Sequence, residues 1–124
     1  MLLAALAVMT LLPAVTAQTQ SERWSRSKSG YWMGENNTYY RYQNNSLQMS
    51  RDSKTWQDVP ANGVWRSQDG RLMRIENNRV RWSNDNGSSW SDVPNTGWQD
   101  YNGNWHRFDS DMNLQHRGAG TSPK

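Results

Sequence analysis

The sequence predicts an all-β protein assembled from three copies of one four-stranded meander. Three observations carry that expectation. Trp32, Trp65 and Trp98 stand 33 residues apart, and Arg41, Arg74 and Arg107 follow them nine residues later. The chain is rich in Gly, Asn, Ser and Asp, poor in Ala, and lacks the sustained 3.6-residue periodicity of amphipathic helices. Short runs of Trp, Tyr, Val, Ile and Leu are bounded instead by Asp69-Gly70, Asn44-Asn45 and Asn77-Asn78, pairs that tolerate the positive φ of tight hairpin turns.

In chain order, the first element is an uncharged apolar run, residues 1–17, ending in Val15-Thr16-Ala17 and followed by polar Gln18-Thr19-Gln20. It is short for a bilayer span and interrupted by Pro13, so it reads as a secretory signal peptide cleaved near Ala17. The expected mature protein is therefore periplasmic or extracellular, with no membrane span. The β domain is expected over residues 18–117, followed by a flexible tail at 118–124.

Composition narrows the functional classes. The net charge is +3, with basic residues dispersed among acidic ones, so no polybasic arm and no nucleic-acid partner are expected. There is no Cys, which excludes disulfides, a thiol nucleophile and a Cys-based zinc site. No metal-ligand pattern or cofactor motif is present, and none is expected to be bound. After residue 17 the chain has only eight Leu, Ile and Val residues together, against eight Trp, five Tyr and one Phe. Aromatic rings bury roughly 150–250 Å² each and must supply most of any core.

The units are expected at about 32–64, 65–97 and 98–117. In the second, strands are predicted at 64–67, 71–76, 79–83 and 89–93, the last ending at Pro94, which cannot donate to a ladder. Tyr40, Met73 and His106 occupy one equivalent position, and Tyr42, Ile75 and Phe108 another. The third unit lacks its last strand. Trp24 precedes Trp32 by eight residues as Trp90 precedes Trp98, so residues 21–25 are expected to supply that strand from the N-terminal side. Such a split unit closes a ring and removes both open edges, within one chain or between chains. Three blades are few for a ring, so a homo-oligomer completing a propeller is expected. A threefold β-prism and a β-trefoil are the alternative architectures.

Ser83-Asn84-Asp85-Asn86-Gly87-Ser88-Ser89-Trp90 resembles the Asp-box, or bacterial neuraminidase (BNR) repeat, Ser-x-Asp-x-Gly-x-x-Trp. Ser50, Asp52 and Trp56 form a shorter copy without the Gly. The resemblance implies propeller-like blades in which Ser50, Asp52, Trp56, Ser83, Asp85, Gly87 and Trp90 are structural. The Asp accepts hydrogen bonds from its own turn, the Gly allows the turn, and the Trp packs beneath it. The best-known Asp-box enzymes, sialidases, use an arginine triad, which invites comparison with Arg41, Arg74 and Arg107. No Tyr/Glu nucleophile pair matches that family here. Small secreted ribonucleases also carry such hairpins, and Glu76, Arg74, His106 and His116 supply suitable residue types, but the threefold repeat has no place in that fold. No catalytic residue is assigned. "SQDGRLMRI" is similar to a strand of the monocot mannose-lectin prism, whose sugar-site motif is missing.

The resulting expectation is a secreted, non-catalytic, carbohydrate-binding module. Repeated Trp32, Trp65 and Trp98, with Arg41, Arg74 and Arg107, are the candidate ligand-binding residues. Indole faces stack on sugars, while polar neighbours such as Ser67-Gln68-Asp69 and Asp100-Tyr101-Asn102 serve hydroxyls. A structural or protein-binding module is the alternative, and a small secreted hydrolase the third class. Filling the interface between units is the competing role for the three Trp.

Overall fold

The computed structural model describes residues 23–60 and 63–118. The expected signal peptide lies outside the described residues, as does the tail beyond Gly118. Three antiparallel sheets of four strands each account for all the strands described. The first unit contains β2 (Trp32–Met33), β3 (Tyr39–Gln43), β4 (Ser46–Ser50) and β5 (Gln57–Asp58). The second contains β6 (Val64–Arg66), β7 (Leu72–Glu76), β8 (Arg79–Ser83) and β9 (Ser91–Asp92). The third contains β10 (Trp98–Gln99), β11 (Trp105–Phe108) and β12 (Leu114–Arg117), completed by β1 (Ser25–Arg26).

The hairpins form where the turn chemistry placed them. Asn44 and Asn45 have φ of 57° and 58°, and Asn77 and Asn78 have 53° and 60°, the backbone of two-residue turns whose twist matches the flanking strands. The predicted last strand of the second unit contracts to Ser91–Asp92, because the turn before it keeps residues 85–89 out of the ladder. Among the described residues the displaced strand is Ser25–Arg26: it follows Trp24, as Gln57–Asp58 follows Trp56 and Ser91–Asp92 follows Trp90, while residues 21–22 of the expected strand lie outside the described residues. It pairs with β12 through Ser25↔His116 and Arg26↔Gln115, extended by Ser27 N donating to Leu114 O at 2.8 Å. Closure is therefore within one chain, which removes the physical reason given above for expecting an oligomer. His116 is part of β12.

Register decides which side chains share a face. Trp32↔Tyr40, Trp65↔Met73 and Trp98↔His106 are cross-strand pairs, and Tyr42, Ile75 and Phe108 lie two residues further along the same faces. That face of every sheet supplies the core: Trp32, Leu47, Trp65, Met73, Trp98 and Leu114, with Tyr40, Tyr42, Ile75, Val80, Trp82 and Phe108 packed against them. One face of each sheet thus feeds a single interior.

At the centre the three repeated tryptophans meet. Trp32, Trp65 and Trp98 are each 2% exposed, with ring centroids 5.0, 5.4 and 5.5 Å apart. Three indoles fill an axis that eight aliphatic residues could not. Their indole N–H groups have no hydrogen-bond acceptor, and the edge-on contacts at 76° and 60° offer the weaker N–H···π compensation. The equivalent turns also hold the units together: Gln68 N donates to Gln99 O at 2.9 Å, and Tyr101 N to Met33 O at 3.1 Å.

Candidate ligand clefts

The repeated Trp expected to meet ligand are core. At 2% exposure none of the three offers a ring face for stacking, so Trp32, Trp65 and Trp98 take the competing interior role, Trp32 and Trp98 only reaching the floors of the clefts below.

The repeated arginines lie on the opposite, outer faces, because Arg41 alternates with Tyr40 and Tyr42. Each guanidinium stacks on the Trp that leads the last strand of its unit: Arg41 on Trp56 at 4.3 Å, Arg74 on Trp90 at 4.1 Å, Arg107 on Trp24 at 4.4 Å. Arg41 Nε donates to Gln48 Oε1 and Arg107 Nε to Gln115 Oε1, both at 2.7 Å. In the second unit Arg81 replaces that Gln, leaving Arg74 Nε without a partner. Glu76 compensates by holding Arg74 at 3.0 Å and Arg81 at 3.7 Å. These arginines are thus committed to ring stacks and neighbours. The structure does not gather them into one anion clamp.

The Ser-x-Asp turns are self-contained. Asp85 accepts from Ser83 Oγ at 2.6 Å, Ser89 N at 2.9 Å and Ser89 Oγ at 2.7 Å, while Gly87 N donates to Ser83 Oγ at 2.8 Å. Gly87 has φ 95°, and Trp90 Nε1 donates to its carbonyl at 3.1 Å. In the shorter copy Asp52 accepts from Lys54 N and Thr55 N, both at 2.9 Å, and from Ser50 Oγ at 3.0 Å; Ser53 takes the positive φ. Hydrogen bonds from Ser83 and Ser89 hold Asp85 down to a pKa of about 2. Those from Thr55, Lys54 and Ser50 do the same for Asp52.

Two clefts lie at junctions between units. A cleft of about 240 Å³ joins Ser67, Asp69, Arg71 and Trp82 of the second unit to Thr96, Gln99 and Trp105 of the third. A cleft of about 220 Å³ joins Asp100, Asn102, Asn104 and His116 of the third unit to Met33, Tyr31 and Tyr39 of the first. These two sets occupy the same repeat positions. Ser67 corresponds to Asp100, Asp69 to Asn102, Arg71 to Asn104, Gln99 to Met33 and Trp105 to Tyr39 by the repeat spacing. Trp82 corresponds to His116 by strand register. Both clefts set half-buried side chains beside hydroxyl, amide or carboxylate groups.

The remaining junction is filled instead. Its equivalent of Ser67 and Asp100 is Gly34, where a Cβ would overlap the Tyr40 ring, so Tyr40 occupies the space. Burial, with the Glu35 charge second, raises the Tyr40 pKa. The unit opens outward through a cleft of about 380 Å³ lined by Thr38, Tyr40, Met49, Asp52, Trp56 and Gln57.

Two features stiffen the junction clefts. Arg71 stacks on Trp82 at 3.9 Å and meets Asp69 at 3.5 Å, while Ser67 Oγ donates to Asp69. Asp100, 3% exposed, accepts from Asn102 N at 2.8 Å, Asn104 N at 3.0 Å and His106 Nε2 at 2.7 Å. That saturated carboxylate organises its turn. Ser25 Oγ lies 3.3 Å from His116 Nε2 across the closing strand, a pair separate from Asp100 and His106. Among the described residues no group of three or more His, Cys, Asp or Glu is placed to hold a metal.

Sequence reasoning reached half of each cleft. The polar stretches after Trp65 and Trp98 were legible. Trp82, Trp105, Tyr31 and Tyr39 were not, because they come from another strand or the next unit; the spacing that equates Trp105 with Tyr39 was the available signal. No family model, curated protein or solved structure matches the chain.

Proposed function

We propose that this is a secreted, non-catalytic carbohydrate-binding module whose sugar sites are the clefts between units. One observation carries the reading: the same repeat positions build two clefts at successive junctions, each bringing aromatic rings beside polar groups. Rings suit the apolar face of a pyranose, and Asp69, Gln99, Asn102 and Asn104 suit its hydroxyls. Cavities of about 220 and 240 Å³ suit one or two sugar rings rather than a long chain. Two sites on one rigid body favour repeated glycans through avidity. The Ser-x-Asp turns, by their likeness to Asp-box repeats of secreted proteins, agree with export.

The test is a glycan array with the mature chain, followed by titration of each hit against Trp105→Ala and Tyr39→Ala. Each variant should lose at least tenfold in affinity at its own cleft, and the double variant should lose array binding. An array without hits, together with Trp fluorescence unmoved by saccharides, defeats the reading.

A further inference from the structure

Joining the two ends of the chain creates a surface absent from either end alone. On the outer face of the closing sheet, register places Arg107 on β11, Gln115 and Arg117 on β12, and Arg26 on β1. The other strand positions on this face are Gln99 and Trp105, so it holds three arginines and no carboxylate. The second unit shows the contrast: there Glu76 and Asp92 form ion pairs with Arg74, Arg79 and Arg81 at 3.0–3.7 Å. Arg26, Arg107 and Arg117 form no such pair among the described residues. Arg26 Nη2 donates to Asn113 Oδ1 at 3.1 Å, Arg107 to Gln115 and to Asn95 O, and Arg117 lies over Trp24 and Trp105 at 5.4 and 5.2 Å. The nearby carboxylate of Asp109 accepts from Asp111 N and Asn113 N, both at 2.9 Å, and is also within reach of the Arg26 charge without pairing with it.

We propose that this face docks an acidic polysaccharide, one carrying sulfate or carboxylate groups along an extended chain. Strands lie about 4.8 Å apart, so Arg26 and Arg107, with β12 between them, stand about 10 Å apart at their backbones. Arg117 is two residues along β12 from Gln115, a further step of about 7 Å. A flat triangle of charges on that scale spans two or three sugar residues. A single-stranded nucleic acid needs open ring faces, and Arg107 and Arg117 both lie over Trp24. An anionic membrane needs apolar anchors beside the charge, and Tyr101, the exposed large hydrophobic residue, is on another face, between the third and first units. The surface borders the cleft between the second and third units, with which it shares Gln99 and Trp105, and shares neither Tyr31 nor Tyr39 of the other cleft.

The experiment measures binding of the mature chain to heparin oligosaccharide and to polygalacturonate by calorimetry across 50–200 mM salt. Poly(U) and phosphatidylserine vesicles serve as the competing partners. Arg26→Gln with Arg117→Gln should cost at least tenfold in affinity for the better polysaccharide at low salt. It should also flatten the log–log salt dependence by about two, one for each contact removed, by analogy with counterion release from nucleic acid. Arg79→Gln, which removes a charge from the second unit, should stay within twofold. Should the double variant not fold, the exposed single change Arg26→Glu should still cost about fivefold. Unchanged affinity in the folded variants, an equal loss in Arg79→Gln, or tighter binding of poly(U) or vesicles overturns the proposal. Tyr39→Ala, at the cleft that shares neither Gln99 nor Trp105 with this face, separates the two readings, since saccharide binding there should fall while Arg26→Glu leaves it unchanged.

Discussion

Replacing Trp65 by Ala should remove a large share of the protein's stability, while replacing Trp56 should remove little. Trp65 is 2% exposed, with indole neighbours at 5.0 and 5.5 Å on the threefold axis, so truncation opens a cavity bordered by two other large rings. Neither neighbour can collapse into it without leaving its own sheet. Trp→Ala at such a site costs about 3–5 kcal/mol, and the central position argues for the upper part of that range. A small domain holds roughly 5–15 kcal/mol in all. With a urea m-value of about 1.5 kcal/mol/M, a loss of about 4 kcal/mol lowers the midpoint by roughly 2–3 M. Trp56 is half-buried on an outer face beneath Arg41, and Trp56→Ala should cost about 1–2 kcal/mol through lost packing and cation–π contact. Urea titration followed by far-UV circular dichroism checks both. A Trp65→Ala protein whose midpoint moves by less than about 0.5 M but which no longer binds saccharide would refute the interior assignment and restore the axial Trp as a ligand platform.

Other expectations follow from single residues. Asp85 has a folded pKa of about 2 against a reference of 3.8, so its contribution to stability is fully present above about pH 4 and fades as pH falls through 2. Melting temperatures of wild type and Asp85→Asn should therefore differ at pH 6 and converge near pH 2. Asp100→Asn replaces the buried carboxylate that His106 Nε2 donates to with an amide, and chemical denaturation should show a loss of about 1.5–3 kcal/mol. Gly97→Ala places a Cβ on the His106 carbonyl at φ +80°, and its purified variant should melt well below wild type or fail to fold. Asn77→Ala forces Ala into φ 53°, so its urea midpoint should fall by the equivalent of about 1 kcal/mol.

The repeat, the hairpins and the split unit were legible because each rests on local chemistry: ring spacing, Asn-Asn turns, and a missing strand with a spare Trp at the other end. Facing was harder. Trp32 and Arg41 recur with equal regularity, yet one set fills the axis and the other lies outside, and only the pairing Trp32↔Tyr40 fixes the sides. The ring beneath Arg41 comes from across two strands, so one-dimensional spacing did not connect Arg41 with Trp56. Closure was left open between one chain and several; the pairing of β1 with β12 decides it, and three indoles are large enough to fill the narrow axis that three sheets leave.

Repetition therefore carries opposite meanings at different positions. Where the three units keep the same chemistry, as at Trp32, Trp65 and Trp98, or at the Arg–Trp stacks, a constraint common to every unit is at work. Threefold packing is that constraint. A ligand cleft has no reason to be the same three times. The junction positions accordingly diverge: Gly34, Ser67 and Asp100 at one, and Met49, Trp82 and His116 at another. Gly34 admits the Tyr40 ring and closes a cleft, whereas Ser67 and Asp100 each tie down a turn and leave one open. The axis fixes the frame and so frees the junctions to vary. Specificity should be sought where the units disagree, and stability where they agree.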